Sequence, residues 1–278
     1  MNQETREIYG LYLRCFPGLY LDYEPFCRRL SLHSPATQRL LHREGDTLAG
    51  VCLTEPGAIL LLCVDPRFRC QGIGSSLLQK AEELRREDGS LRLGLGSSYL
   101  FQGVPLLSED MPGFFQRRGY EASWTSEDLT LKNPPIPAPP CPPDIHFRPA
   151  TPGDFPALLA AVAQVEPGWV QYYQAPSTPI LLACRDEEIL GFTLFGPTDE
   201  SFSHAPGTRM AAIGCVGVLP SARQQGIGLK MVETAAAQLL EQGAQELYIG
   251  YTHLSPWYAR LGFRPRLRCW MGEKGMQK

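Results

Sequence analysis

Two apolar runs of similar length stand out along the chain, Ala58 to Val64 and Ala211 to Val218, each bounded by turn residues. Uninterrupted runs of this length read as buried strands. Each is followed by a short glycine-bearing loop and a helical stretch, Ser75 to Arg86 and Leu229 to Gln242. A second strand comes next, Leu91 to Leu95 and Glu246 to Tyr251. Strand, loop, helix, strand predicts a βαβ unit with a parallel pair. Upstream, Arg39 to Glu44 and Thr47 to Thr54 flank Glu44-Gly45-Asp46 as a hairpin, and Leu181 to Arg185 and Ile189 to Phe195 do the same around Asp186-Glu187. Each half is therefore expected to be α/β, a mixed sheet with helices.

The two patterns are copies. Val64-Asp65-Pro66-Arg67-Phe68-Arg69-Cys70-Gln71-Gly72-Ile73-Gly74 lines up with Val218-Leu219-Pro220-Ser221-Ala222-Arg223-Gln224-Gln225-Gly226-Ile227-Gly228, and seven of the eleven positions are identical. That identity in a matching context indicates an internal repeat. Between the copies runs Asn133 to Pro143, NPPIPAPPCPP. Proline fixes φ and lacks an N–H, so this segment continues neither helix nor central strand and reads as a stiff, extended linker. The expected division is an N-terminal domain over 1–132, a linker over 133–143 and a C-terminal domain over 144–278. A helical stretch, Glu4 to Cys15, opens the chain, so the first half is expected to lack an opening strand. The second half ends soon after Trp270, so its last strand is expected to be missing. Packing of the two halves on each other would cover the sheet edges this leaves.

The glycine loops carry the chemistry. Where a strand turns tightly into a helix, the first helical N–H groups point outward unpaired and hold an anion, helped by the helix dipole. Glycine at 72 and 74, and at 226 and 228, removes the Cβ that would keep a phosphate away. Arg69 and Arg223 add a charged contact. A glycine pair alone also serves a tight turn on steric grounds, so the residues by themselves indicate a phosphate-like anion at a helix N-terminus, twice. The chain has no G-x-x-x-x-G-K-[ST] and no full G-x-G-x-x-G after a first strand, which argues against a P-loop nucleotidase and a dinucleotide site.

Composition narrows the partners. The net charge is −3 over 278 residues, without a Lys/Arg run, so neither nucleic acid nor an anionic membrane surface is an expected partner. No stretch of about 18 apolar residues occurs, so no transmembrane helix is expected. The nine cysteines form no C-x-x-C pair. They read as free thiols of a reducing cytoplasm, with no metal site.

With these residues in view, V-x-P-x-x-R-x-x-G-I-G entered from an apolar strand resembles the acetyl-CoA motif of the GCN5-related N-acetyltransferases (GNAT). Trp257-Tyr258-Ala259-Arg260-Leu261-Gly262-Phe263 is similar to the family's Tyr-x-x-x-Gly-Phe segment, and Phe114-Phe115-Gln116-Arg117-Arg118-Gly119-Tyr120 is its counterpart. Phe147-Arg148-Pro149-Ala150-Thr151 through Asp154 resembles the family's opening strand and first helix. The resemblance implies two tandem acyl-CoA N-acyltransferase (GNAT) domains. It implies acetyl-CoA as co-substrate, bound by Val64 and Arg69, Cys70, Gln71, Gly72, Ile73 and Gly74 in one half. In the other, the binding set is Val216, Gly217, Val218, Arg223, Gln224, Gln225, Gly226, Ile227 and Gly228. It implies direct attack of a small-molecule amine on the thioester.

The halves differ where that chemistry falls. Tyr258 occupies the position at which the family places a hydroxyl near the coenzyme sulfur, and the first half has Phe115 there. The second half is therefore expected to catalyse, and the first to bind coenzyme, serve as scaffold, or use another acid such as Tyr99. Asp199, Glu200, His204 and His253 are open candidates for the general base. The longer loop Ser97 to Pro105, continuing through Ser108-Glu109-Asp110, is expected to border the acceptor cleft, and Tyr-Leu-Phe-Gln-Gly-Val-Pro resembles bacterial glucosamine and glucosaminide N-acetyltransferases. An amino sugar is thus one expected acceptor. The alternatives are a mycothiol-synthase-like activity, a protein or polyamine N-acetyltransferase, and a non-catalytic acetyl-CoA-binding sensor or scaffold.

Overall fold

Residues of α1 (Gln3–Cys15) bury one stripe, Thr5, Ile8, Leu11, Tyr12 and Cys15, at the three- and four-residue spacing of a helix face. The computed structural model describes residues 3–32, 34–96, 99–107, 111–176, 178–199, 201–203 and 205–276. After α1 come α2 (Tyr23–Arg29), β1 (Gln38–Glu44), β2 (Thr47–Glu55), β3 (Ala58–Val64), α3 (Ile73–Leu84), β4 (Ser90–Leu93), β5 (Val104–Pro105), α4 (Met111–Gln116) and β6 (Thr125–Leu131). The second copy runs β7 (Ile145–Pro149), α5 (Phe155–Val165), α6 (Val170–Gln174), β8 (Ile180–Arg185), β9 (Glu188–Thr198), β10 (Met210–Val218), α7 (Ile227–Glu241), β11 (Glu246–Thr252), α8 (Ser255–Tyr258) and β12 (Arg264–Trp270), with β13 (Glu273–Gly275) last.

The chain divides into two compact units, each drawn from separated stretches. One comprises Met1–Glu127, Phe202–Gly207 and Leu267–Lys278. Its sheet runs β1-β2-β3-β4-β13. The expected hairpin is present, turning at Gly45 with φ 57°, and β3 lies antiparallel to β2 and parallel to β4. The helix stripe of α1 packs with Phe16, Leu19 and Phe26 in the same core as Leu60 and Leu61 of β3. No opening strand precedes α1 among the described residues.

The other unit comprises Asp128–Ser201 and Thr208–Arg266. Its strands follow the order β6-β11-β10-β9-β8-β7, with β12 on the far side of β6. The centre is α7, whose Ile227, Met231, Val232, Ala235, Ala236 and Leu239 are buried beneath the sheet. Arg148 at the end of β7 holds Asp154 through both guanidinium nitrogens, at 2.8 and 2.6 Å, and Thr151 completes a capping box before α5.

One expectation needs correcting. The residues after Gly262 are not the end of the fold: Arg264–Trp270 is a strand, and β13 pairs antiparallel with β4, Lys274 opposite Leu91. Leu267 and Cys269 are buried and alternate with half-buried Arg266 and exposed Arg268, the period-two pattern of a half-buried strand. The Pro-rich segment also differs from a free spacer. It is extended, but the Ile136 N–H donates to Leu261 O at 3.0 Å, and Ala138 and Cys141 pack against the second unit's core.

At the exit of β3 the first unit has a charged clasp. Asp65 is 1% exposed and accepts from Arg14 Nε at 2.8 Å and from Arg67 at 2.9 and 3.0 Å, while its backbone N–H bonds Ala49 O. These partners, the Arg67 guanidinium first, hold its carboxyl below the usual carboxylate range. A depressed carboxylate pKa adds stability that is present above about pH 4 and lost as pH falls below it. Asp65→Asn should lower stability at pH 7 by about 1–3 kcal/mol, and urea titrations should show the difference from the parent shrinking toward pH 3.

Candidate functional site

The second loop starts where β10 ends. The Leu219 N–H bonds Leu190 O at 2.8 Å, one tight turn over Pro220–Ala222 follows, and Arg223 runs extended. Arg223 Nε donates to Val218 O at 3.2 Å, so the arginine is tied to the strand it has just left. Gln224 is left-handed at φ 63° and Gly226, the N-cap of α7, at φ 78°. The first loop repeats this: Arg69 Nε to Val64 O at 3.1 Å, Cys70 at φ 62°, Gly72 at φ 85°. Both loops therefore turn their first helical N–H groups to the same side as the arginine.

The second loop lines a cavity of about 700 Å³. Of the residues singled out in sequence, Val216, Val218, Arg223, Gln224, Gln225, Gly226, Ile227, Gly228 and Tyr258 all border it. Arg260, Trp257 and Leu254 join them. Gly217 does not border it: a Cβ there would lie 2.3 Å from the Phe192 ring, so its α-carbon faces the core. Ile227 is buried and Ile73 likewise, so their side chains anchor the helix and only their backbones face an anion. In the first loop Arg69, Cys70, Gln71 and Gly72 are exposed, with Val64 and Gly74 half-buried. Two arginines and no carboxylate among the described lining residues give the cavity a positive wall suited to a phosphate-bearing ligand.

Tyr258 is 6% exposed and sits edge-on to Trp257 and Phe263. Burial pushes its hydroxyl up to about 12. Phe115 in the first unit is packed among Phe114 and Tyr120.

A sharper difference lies one strand away, and sequence reading missed it. The parallel pair β10–β11 is bonded only through Ala212, and β3–β4 only through Ile59, so in each unit the strands part just beyond. At that level the second unit has Gly214, and open space meets a Cβ built there. The first unit has Leu60 at the matching position of the sequence repeat, in a bulge of β3, 2% exposed, with a Cδ 2.6 Å from where a Cβ on Gly96 would stand. Beyond Gly214 the strand bulges. Cys215 is left-handed at φ 50°, its carbonyl accepts from Tyr173 OH at 2.7 Å, and Thr193 Oγ holds Gly214 O at 2.9 Å. No residue of β3 has positive φ. The sequence signal was there: Gly-Cys-Val-Gly at 214–217 faces Leu-Leu-Leu-Cys at 60–63.

The loop expected to border an acceptor cleft turns inward. Leu100, Phe101 and Gln102 are buried, and Phe101 lies between Phe16 and Phe202 at ring distances of 4.9 and 5.2 Å. Tyr99 is held at its carbonyl by Arg29 Nε, 3.1 Å. Asp199 and His253 are exposed and do not line the cavity. Glu200, His204, Ser97, Ser98 and Ser108 to Asp110 lie outside the described residues. Among the described residues no group of three or more His, Cys, Asp or Glu could hold a metal, and no helix is long and apolar enough to cross a membrane.

The acetyltransferase (GNAT) family matches residues 5–100 and 147–263. No curated protein matches the sequence. Among solved structures, the chain is similar to a GCN5-related glucosamine N-acetyltransferase region of a fungal multi-domain GH3 β-N-acetylglucosaminidase, at TM-score 0.80 and 20% identity, over 98% of this chain and 37% of that one. It thus spans little more than a third of that protein. It is similar to a GCN5-related N-acetyltransferase from Sphaerobacter thermophilus, at TM-score 0.77 and 20% identity, over 99% and 93% of the two chains. A tandem GNAT protein from the clavulanic acid biosynthesis pathway follows at 0.69 and 17%, over 100% and 97%.

Substitution at Gly214 tests the opening. Gly214→Leu is expected to fold, because open space surrounds that position, yet to lower acetyl-CoA-dependent turnover by about 100-fold through misplacement of the bound thioester. Gly214→Ala should keep most of it.

Proposed function

The chain belongs to the acetyltransferase (GNAT) family, and from that premise we propose that its second unit transfers the acetyl group of acetyl-CoA to a primary amine. The observation that carries the proposal is the presence of three features in one unit: the phosphate loop and Tyr258 lining one cavity, and the open position at Gly214 on the strand that leads to it. The first unit keeps the loop but has Leu60 in the opening and Phe115 in place of the hydroxyl, so it is read as non-catalytic.

Acetyl-CoA, when bound, supplies the thioester. The N–H groups at Gln224 to Gly228 and the free guanidinium nitrogens of Arg223 hold its pyrophosphate. The backbone at Val216 to Val218 is left to pair with the pantetheine arm. Orienting the thioester against the amine supplies the larger part of the acceleration, up to roughly 7–11 kcal/mol. Tyr258 acts on the leaving sulfur. With its pKa near 12, full transfer of its proton to a thiolate of ordinary pKa, about 8.5, would be uphill by about 5 kcal/mol. Tyr258 therefore donates a hydrogen bond to the developing thiolate.

The proposed acceptor is an amino sugar such as glucosamine. Its support is the resemblance of the Tyr99 to Pro105 stretch and the likeness of fold to the fungal glucosamine N-acetyltransferase region. The nine cysteines, which form no disulfide among the described residues, support a reducing, cytoplasmic setting.

Tyr258→Phe is expected to reduce kcat by about 10²-fold with the KM for acetyl-CoA little changed. Because a neutral tyrosine with a pKa near 12 donates at every pH below that value, the substitution should remove no ionisation from the pH–rate profile between 6 and 10. The test is coenzyme A release over glucosamine, a chitosan fragment, spermidine, an aminoglycoside and an N-terminal peptide. Arg223→Glu should abolish release and Arg69→Glu should not. Coenzyme A binding at the second loop without release from any amine would favour a binding module.

A further inference from the structure

We propose that Pro139 and Pro140, in the segment that joins the two sequence repeats, form part of the coenzyme site as a rigid wall for its adenine end. The inference rests on the reading of the cavity as an acetyl-CoA site. Seven of the eleven residues from Asn133 to Pro143 are proline. Only Ile136, Ala138 and Cys141 follow Pro135 with a backbone N–H before Asp144. The segment is pinned on both sides of the proline pair. Ile136 N–H bonds Leu261 O at 3.0 Å upstream, and Pro142 O accepts from Ile145 N–H at 3.1 Å downstream. Ala138 and Cys141, flanking the pair, pack against the unit's core.

Between these anchors Pro139 and Pro140 line the same cavity as Arg223 to Gly228. A Cβ on Gly226 would stand 3.0 Å from Pro140 O and 3.7 Å from Pro139 O. At Gly72, the matching glycine of the first loop, nothing lies within 4 Å. Gln225 and Gly226 are accordingly half-buried, while Gln71 and Gly72 are exposed. The second phosphate loop therefore faces a wall, and the first does not.

The chemistry of the wall selects its ligand. Pyrrolidine rings offer flat apolar faces and no donor, and the two carbonyls offer only acceptors. Neither bonds a phosphate oxygen, which the N–H groups across the cavity serve. A purine suits both parts: its ring packs on proline and its exocyclic amine donates to a carbonyl. Because proline fixes φ in advance, little ordering cost falls on binding.

The test is calorimetric titration in an Arg69→Glu background, which silences the first loop, with coenzyme A and with 4′-phosphopantetheine, which keeps one phosphate of the pyrophosphate and lacks the 3′-phosphoadenosine and the other phosphate. Replacing both residues, Pro139→Gly with Pro140→Gly, should weaken coenzyme A about tenfold and leave 4′-phosphopantetheine unchanged. Equal loss for both ligands, or no loss for either, overturns the wall. If the Arg69→Glu parent binds no coenzyme A at all, it is the reading of the cavity that fails. Should the double variant not fold, the unsubstituted wall supplies the readout. Desulfo-coenzyme A, which has no thiol, should slow iodoacetamide alkylation of Cys141 at least threefold, and an unchanged rate overturns the inference.

Discussion

The structure depends on one backbone constraint: a buried strand must become a helix within a few residues while all the freed N–H groups point the same way. Two left-handed residues make the turn, Cys70 and Gly72 in one copy, Gln224 and Gly226 in the other. The N-cap position falls to glycine, where φ near 80° carries no Cβ penalty. The arginine before the turn is bent back so that its Nε satisfies the last strand carbonyl, Val64 O or Val218 O. That bond uses one donor of five and leaves the rest of the guanidinium beside the helix N-terminus. The loop is thus an anion site assembled from conformation, with one side chain fixed by the strand itself.

Given two such loops, function is decided by what surrounds them. On the proposed reading, the phosphate loop anchors one end of a long ligand, and the reacting end lies some distance along the parted strands. At the parting point Leu60 fills the first unit with hydrocarbon and Gly214 leaves the second open. The bulge at Cys215 then needs two hydroxyls to hold it, Tyr173 on the carbonyl of 215 and Thr193 on that of 214. A buried tyrosine and a buried threonine placed on a strand's carbonyls keep a bent backbone satisfied where ladder bonds have been given up. The first unit also bulges, at Leu60 of β3, but without a left-handed residue, and fills the same space with the leucine side chain.

Most elements were legible in the sequence because they are local. The run at residues 58–64 is β3 residue for residue, and both hairpins and the helices after each loop fall within a few positions of the pattern. Three things were not. The strand β13 is short and pairs with β4, nearly two hundred residues away in sequence, and β12 sits beside β6 from the other copy, neither of which a local pattern encodes. The Pro-rich segment read as a spacer because proline content reports stiffness and says nothing of what a stiff segment lies against. The Leu60–Gly214 contrast was visible as letters, but its meaning needed the point at which the parallel ladders stop. At the site the loop residues were readable from spacing, whereas the close packing of Gly217 against Phe192 shows only once the bulge is seen.

Burial gives Tyr258 its character. The environment that raises its pKa makes the phenol a weaker acid, so proton transfer recedes as the route to the leaving thiol. The same desolvation strengthens any hydrogen bond the phenol makes, since water no longer competes and the local dielectric is low. On the proposed reading, a thiolate forming at the cavity would meet a donor that stays neutral across the physiological range, and the reaction would gain charge stabilisation without a protonation step to time. An aromatic edge on Trp257 and another on Phe263 hold the ring in place, so the donor direction is set before the charge appears.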